Sequence, residues 1–280
     1  MLTETALKEK LQTLAERKFK PDDERIIDEL LPTMLAHIGS TDPELRDDLI
    51  YVAFIRWSMT YELIPPEKLR ETFNTLLDDE HLFFNFGETD MDSIFTRSFS
   101  ALWLPPILIA HRQNAFLTQK DIKNAHTKLL RFLREEKDRR GFVEDKGWAH
   151  AIAHAADALD DLAQCAEINT DELREMLPVI RETMSMTEFV YAHGEDERMV
   201  TPVLAIIQRS LLSIDEIKAW FKSFVAPTQE TKAMPDGVIF RANAQNFLQS
   251  LYFRLKWTDE KSNLLTHIEK TLHEINIFTR

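Results

Sequence analysis

The chain has 280 residues, 44% hydrophobic and 29% charged, enough apolar material for a sizeable core, and it reads as a single domain over residues 1–280. Six glycines leave little for hairpin turns, and the abundant Leu, Ala, Glu, Lys, Arg and Met enter helices at small cost. The formal net charge of −13 repels phosphate backbones and argues against nucleic-acid binding.

Helical signals follow one another along the chain. The first is "TETALKEKLQTLAERK", opening at Thr3. "PDDERIIDELLPTMLAHIG" carries acids in its first turn and closes at Gly39. "TDPELRDDLIYVAFIRWSM" has Thr41 or Asp42 as cap and Pro43 in its first turn. "PPEKLRETFNTLLDD" repeats the pattern, and "TDMDSIFTRSFSALWL" runs into Pro105-Pro106, which must break or kink it. Then come "TQKDIKNAHTKLLRFLREEKD", the Trp148 helix, "NTDELREMLPVIRETM", "VLAIIQRSLL", "SIDEIKAWFKSF", "RANAQNFLQSLYFRL" and "TDEKSNLLTHIEKTLHEINIF". About a dozen helices with short connections and no sustained alternation predict an all-α fold without a sheet. Repeated helix pairs predict an α-α superhelix, a solenoid of the HEAT or armadillo kind. The one long loop-like stretch, Val225 to Gly237, reads as a surface loop or a mobile flap.

Three features place the protein in the cytoplasm. Cys165 is the only cysteine, so no internal disulfide forms, and it reads as a packed residue rather than a nucleophile. The N-terminus has no apolar run of the signal-peptide kind. The longest apolar run, "ALWLPPILIA" (Ala101 to Ala110), is about half the length of a membrane span. The basic cluster "RFLREEKDRR" (Arg131 to Arg140) is interleaved with acids and reads as a solvated helix end.

The most informative stretch is "KGWAHAIAHAAD", Lys146 to Asp157. On a helical wheel His150, His154, Asp157 and Asp161 fall within an arc of about 60°, with Trp148, Ile152, Ala155, Leu159 and Leu162 opposite. Ala151, Ala153, Ala156 and Ala158 fill the shoulders, where an exposed helix carries Lys or Glu. Small shoulders let other helices crowd in, so the polar stripe is expected to face a partly buried groove, with at least one histidine hydrogen-bonded to an acid. Asp157 is the local candidate and Glu195 or Glu197 the distant one. Histidines at i, i+4 are also candidate ligands for a divalent metal, with Asp157 or Asp161 as third ligand. No glutamate follows the first histidine, so the zinc-protease motif is absent. The metal-free alternative is a His–Asp hydrogen-bond network.

Three further clusters carry polar groups. In "YAHGEDERMV" the acids Glu195, Asp196 and Glu197 suit a helix N-terminus, or face the histidines with Arg198 in an ion pair, and Pro202 leaves the start of that helix open. Arg97, among Phe95, Phe99 and Leu102, is either a buried ion-pair partner or an anion binder. Asn243, Asn246 and Ser250 form a polar stripe beside Phe247, Leu251 and Leu255, and suggest specific hydrogen bonds.

"RSFSAL", "RGFVEDKGWAHAIAHAADAL", "GEDER" and "NFLQSLYFRL" together resemble, in order, the recurring motifs of the bacterial family called domain of unknown function 2785, over roughly residues 89–255. The resemblance implies a helical fold and picks out Arg97, Glu144, Lys146, Gly147, Trp148, His150, His154, Asp157, Glu195, Glu197 and Arg198. It implies no activity. The motifs recur at about the interval at which a solenoid presents the same face, so they are expected to converge on the concave surface.

The reading that follows is a binding protein for a small polar or anionic ligand or a peptide. Arg97, Lys146 and Arg198 would supply charge, Trp148 a wall, and Glu144, Glu195, Asn243, Asn246 and the histidines the remaining contacts. A hydrolase would instead use His150 or His154 with Asp157, Glu195 or Glu197. A scaffold for another protein is the third reading.

Overall fold

The protein is described from a computed structural model covering residues 2–225, 234–258 and 262–278. In chain order, α1 is Glu4–Ala15 and α2 Arg25–Ala36, and α3 joins the segments Glu44–Tyr51, Val52–Ile55 and Arg56–Thr60. Then follow α4 (Pro66–Leu76), α5 (Ser93–Leu102), α6 (Leu104–Gln113), α7 (Gln119–Glu135), β1 (Phe142–Val143), β2 (Gly147–Trp148), α8 (Ala151–Ala163), α9 (Thr170–Met184), α10 (Glu195–Arg209), α11 (Ile214–Lys222), α12 (Asp236–Thr258) and α13 (Ser262–Ile275).

The caps explain several starts. The Thr3 hydroxyl accepts from the Ala6 amide, and the Asp42 carboxylate accepts from the Leu45 amide ahead of α3. Reciprocal capping boxes open α7 (Thr118 with Asp121), α9 (Asn169 with Glu172) and α11 (Ser213 with Glu216). The expected break ahead of Pro105 and Pro106 is present, since α5 ends at Leu102 and α6 begins at Leu104. The chain turns at Trp103, and both prolines lie in the first turn of α6, where a missing N–H costs nothing. Ser93–Gln113 passes a length-and-hydropathy test for a membrane span, but 83% of that window is buried in the fold, as befits core helices.

The fold is all-α, and the packing of consecutive helices is compatible with a superhelix. α5, α8, α10 and α12 pack side by side in that order, while α7 packs on α9 and α11 on α13. α8 is central, touching α5, α6, α7 and α10. Its alanine shoulders are fully buried, so the crowding that the small side chains predict is present. Gly39 serves a similar close approach: a Cβ there would lie 2.7 Å from the Thr96 amide nitrogen on α5.

Two expectations change. A two-residue antiparallel hairpin pairs Phe142 with Trp148 and Val143 with Gly147, so sheet is nearly but not wholly absent. Its strands fall below the length at which alternation is readable. Trp148 therefore lies in a strand, and α8 starts only at Ala151. In the Val225–Gly237 stretch, residues 226–233 lie outside the described residues, so the loop-or-flap expectation falls there, and Asp236 and Gly237 already belong to α12.

Candidate functional site

The site is built where the hairpin turns into α8. The Ala149 amide donates to the Gly141 carbonyl and the His150 amide to the Arg140 carbonyl, which spends both amides on extending the hairpin. His150 then adopts a left-handed backbone, φ 49°, and is the cap of α8, not its first helical residue. Gly147, at φ 78°, takes a conformation that suits glycine, and a Cβ there would press on Pro43 at 3.0 Å and the Arg46 guanidinium at 3.1 Å. That guanidinium is fully buried, donates to the Ser40 and Lys146 carbonyls, and lies 4.3 and 4.7 Å over the Phe95 and Phe99 rings. Its Nε is 2.8 Å from Asp47 Oδ1, an ion pair whose angle falls outside hydrogen-bond geometry. A helix ahead of the recognisable motifs thus fixes the hairpin.

Both histidines are buried, and each has a partner. His150 Nε2 donates to the His193 carbonyl at 3.1 Å, with Glu195 Oε1 at 3.5 Å. The expected histidine–acid contact is therefore only an approach at 3.5 Å, and the hydrogen bond itself goes to backbone. His154 Nδ1 meets Ser98 Oγ at 2.7 Å, and Ser98 also donates to the Ala149 carbonyl. Burial first, and then the charge of Arg198, lower both imidazoles: His150 to about 4 and His154 well below its usual value. Burial and Arg198 outweigh the hydrogen bonds to the His193 carbonyl and to Ser98, so both rings are neutral at pH 7.

Asp157 does not serve a histidine. Arg198 grips it through Nε at 2.7 Å and through Nη2, because α10 lies directly against α8. Burial nonetheless raises the Asp157 carboxyl, with Arg198 opposing. Asp161 pairs with Arg112 at 2.7 Å. Tyr51, from α3, is pushed up to about 12, by burial first and by the Asp157 charge second.

Glu195 is the acid that faces the histidines, and Glu197 is not. Glu195 is 1% exposed; its Oε2 accepts from the His193 amide at 2.9 Å, while Oε1 has no hydrogen-bond partner. Gly194, at φ 83°, caps α10, which runs through Pro202. Glu197 instead accepts from the Ser250 hydroxyl at 2.8 Å. Trp148 covers the cluster, stacked on His150 at 4.3 Å and 40% exposed, with Phe142 and His193 meeting its edge.

The other predicted residues lie elsewhere. Arg97 takes its ion-pair alternative, buried against Glu136 at 2.6 Å. Lys146 is spent on Asp92 at 2.7 and 2.9 Å, and Glu144 is exposed in the hairpin turn. Asn243 holds the chain leading to the site: its amide donates to the Met186 and Phe189 carbonyls, and its oxygen accepts from the Tyr191 amide. Asn243→Ala is expected to cost about 1–3 kcal/mol in urea denaturation, and a loss below the error of that measurement would remove this role. Asn246 is exposed and lines a separate groove with Glu197.

The four motifs therefore do not meet in one pocket. They form a seam across α5, α8, α10 and α12, joined by Ser98–His154, Asp157–Arg198 and Glu197–Ser250. Among the described residues, no three His, Cys, Asp or Glu side chains could hold a metal ion. The i, i+4 reading lacks its geometry because His150 stands outside the helix and its Nε2 is turned to a carbonyl. Cys165 is buried and its thiol pushed up to about 12 by burial, which leaves no thiolate for chemistry. "RFLREEKDRR" is only in part a solvated helix end, since Glu136 and Asp138 are buried beyond the end of α7. A groove of about 910 Å³, with Arg134, Lys137, Arg139, Glu182 and Glu188 in its wall, contains none of the predicted residues.

Ser98, Arg46, Tyr51 and His193 complete the site without having been singled out in the sequence. Ser98 stands beside Arg97 and His193 beside Gly194 in quoted motifs, and Arg46 and Tyr51 carry no spacing signal.

The sequence model of the family described as "Protein of unknown function (DUF2785)" matches residues 82–253, more than half of the chain. No curated protein and no solved structure matches it.

Proposed function

The chain belongs to the DUF2785 family, and from that premise we propose that it is a binding protein for a small polar ligand or a peptide that supplies hydrogen-bond donors. The ligand would rest on Trp148 and His193 and reach toward Glu195. The observation that carries this reading is the Glu195 Oε1 atom, buried with no hydrogen-bond partner beneath a part-exposed tryptophan. A buried acceptor left unpaired costs about 1–3 kcal/mol, which a donor from a ligand would recover. The cations that would greet an anion are committed: Arg97 to Glu136, Lys146 to Asp92 and Arg198 to Asp157. That favours a donor-bearing ligand over an anionic one. A lone, buried cysteine accords with a reducing, cytoplasmic setting.

A hydrolytic reading rests on the His150–Glu195 approach at 3.5 Å and the Ser98–His154 contact at 2.7 Å. It ranks second because burial makes both imidazoles weak bases.

Native mass spectrometry of the purified protein, followed by a thermal-shift screen of amines, amides, sugars and short peptides, tests the proposal. A stabilising ligand is expected whose effect disappears in Trp148→Ala and in Glu195→Gln. A screen with no stabilising compound, or a ligand indifferent to both substitutions, overturns it.

A further inference from the structure

We propose that the groove between the start of α10 and the last turns of α12 receives an extended, arginine-bearing segment of a partner protein. The groove holds about 370 Å³, and Asp196, Glu197, Asn246, Gln249, Phe253 and Trp257 line it. It lies apart from the Trp148 cluster and does not depend on the function proposed for that cluster.

The groove begins with the spacing of residues on α12. Asn246, Gln249, Phe253 and Trp257 recur every three or four positions, so they share one face of the helix. The opposite face is the core face, where Phe247, Leu251 and Leu255 are buried. On an ordinary helix the outer face would be charged. Here Phe253 is 47% and Trp257 75% exposed, and their rings lie 6.0 Å apart at 32°. An aromatic pair held together in water marks a contact surface, since aromatic anchors carry much of the energy of protein interfaces. From Asn246 to Trp257 the stripe is about 16 Å long, room for about five extended residues.

Charge identifies the occupant. Asp196 and Glu197 stand on the facing wall, Glu197 accepts from the Ser250 hydroxyl in the same groove at 2.8 Å, and neither carboxylate has an ion-pair partner among the described residues. The nearby Arg254 is turned to the Glu197 carbonyl and the Thr201 hydroxyl. Burial raises the Asp196 carboxyl, the backbone amides of Glu197 and Asp196 oppose it, and the charges of Glu197 and Glu195 add to the rise. Acids in the first turn of α10 suit the helix dipole, but the dipole does not account for the tryptophan opposite. Two carboxylates facing two aromatic rings lack one component, a cation. Guanidinium is the best match, because its plane stacks on an indole while its fork bonds a carboxylate. The exposed Asn246 and Gln249 amides can pair with the backbone of an extended segment.

The test is fluorescence anisotropy of the full chain with a labelled pentapeptide containing two arginines, beside its lysine counterpart, at physiological ionic strength. Saturable binding of the arginine peptide is expected. Trp257→Ala should weaken it about tenfold, and so should Asp196→Asn combined with Glu197→Gln. Asp79→Asn with Glu80→Gln removes the same charge at a distant exposed turn and should change affinity less than about twofold. Trp257 is largely exposed, so its variant should unfold at the wild-type temperature, which a thermal melt checks. Any of three results overturns the proposal: no saturable binding, equal weakening by both charge variants, or indifference to Trp257→Ala. Self-association of the wild type that Trp257→Ala abolishes would also overturn it, by making the groove a contact between copies.

Discussion

Replacing Arg97 by methionine is expected to cost about 3–5 kcal/mol of folding stability, because it strands a buried charge. The guanidinium is wholly buried and nearly every donor is spent: Nε and Nη2 on Glu136 at 2.6 and 3.1 Å, the rest on the Ser93 hydroxyl and the Phe84, Asn85 and Glu88 carbonyls. Methionine fills a similar volume, so the loss reports charge and hydrogen bonds more than packing. Glu136 would keep only the Asp138 amide at 2.8 Å. The double variant Arg97→Met, Glu136→Leu should lose less than Arg97→Met alone, since both ends of the pair are then apolar. Urea denaturation of the wild type, the single and the double variants gives all three values. A single-variant loss under about 1 kcal/mol, the range of a surface pair, would return Arg97 to the list of ligand binders.

Arg97 also shows what a sequence carries and what it does not. Its position among phenylalanines announced an arginine at an apolar surface, and the structure buries it. The partner could not be named, since Glu136 lies 39 residues away in a run of mixed charge that reads as solvated. Helix existence was legible throughout, because caps, prolines and a 3.6-residue period are local. The expected starts at Thr3 and at Asp42 are capped by those side chains. The hairpin ahead of α8 was not legible, since four strand residues cannot display a period of two.

The same hairpin decides the geometry of the site. Placing Trp148 and His150 on the helix put His150 in line with His154 and Asp157 and made a metal pair conceivable. In the structure the left-handed turn at His150 swings its ring under Trp148 and toward Glu195. The wheel held for residues within α8, where His154, Asp157 and Asp161 all meet neighbouring helices. It could not say which neighbour meets which residue, because that is set by how α5, α6 and α10 stack. Arg46 and Tyr51 were beyond reach for the same reason, as they come from α3 and no local pattern marks them.

Acidification below about pH 6.5 should destabilise the protein through the buried histidines whose imidazoles burial depresses, His150 and His154 foremost and His126 beside them, well before its carboxylates titrate in bulk. In the folded state His150 is lowered to about 4 and His154 well below the usual value. At pH 7 the rings are neutral in either state and the histidines add no pH dependence. Between about 6.5 and 4 the unfolded chain takes up protons that the folded chain refuses, so stability falls as pH falls. For His150 alone that interval withdraws about 3 kcal/mol, at about 1.4 kcal/mol per pH unit. The acids of α8 act in the opposite sense. Burial, and then the Asp161 charge, push Asp160 up to about 6, and Asp157 and Asp161 are raised as well, by burial first. A raised carboxyl binds its proton in the folded state first, so these groups recover stability from about pH 6 down toward ~4. The net loss should therefore begin below 6.5 and slacken near 6. In Asp160→Asn one compensating proton is gone, and the fall between pH 6 and 4 should be steeper than in the wild type. In His150→Gln with His154→Gln the fall above pH 6 should shrink to the part that the buried His126 contributes, whatever stability the substitutions cost at pH 7. Urea denaturation at intervals from pH 7.5 to 4.5 reads all three slopes. A wild-type stability that stays flat from pH 7 to 5, with Asp160→Asn equally flat, would mean that His150 and His154 are not buried neutral groups.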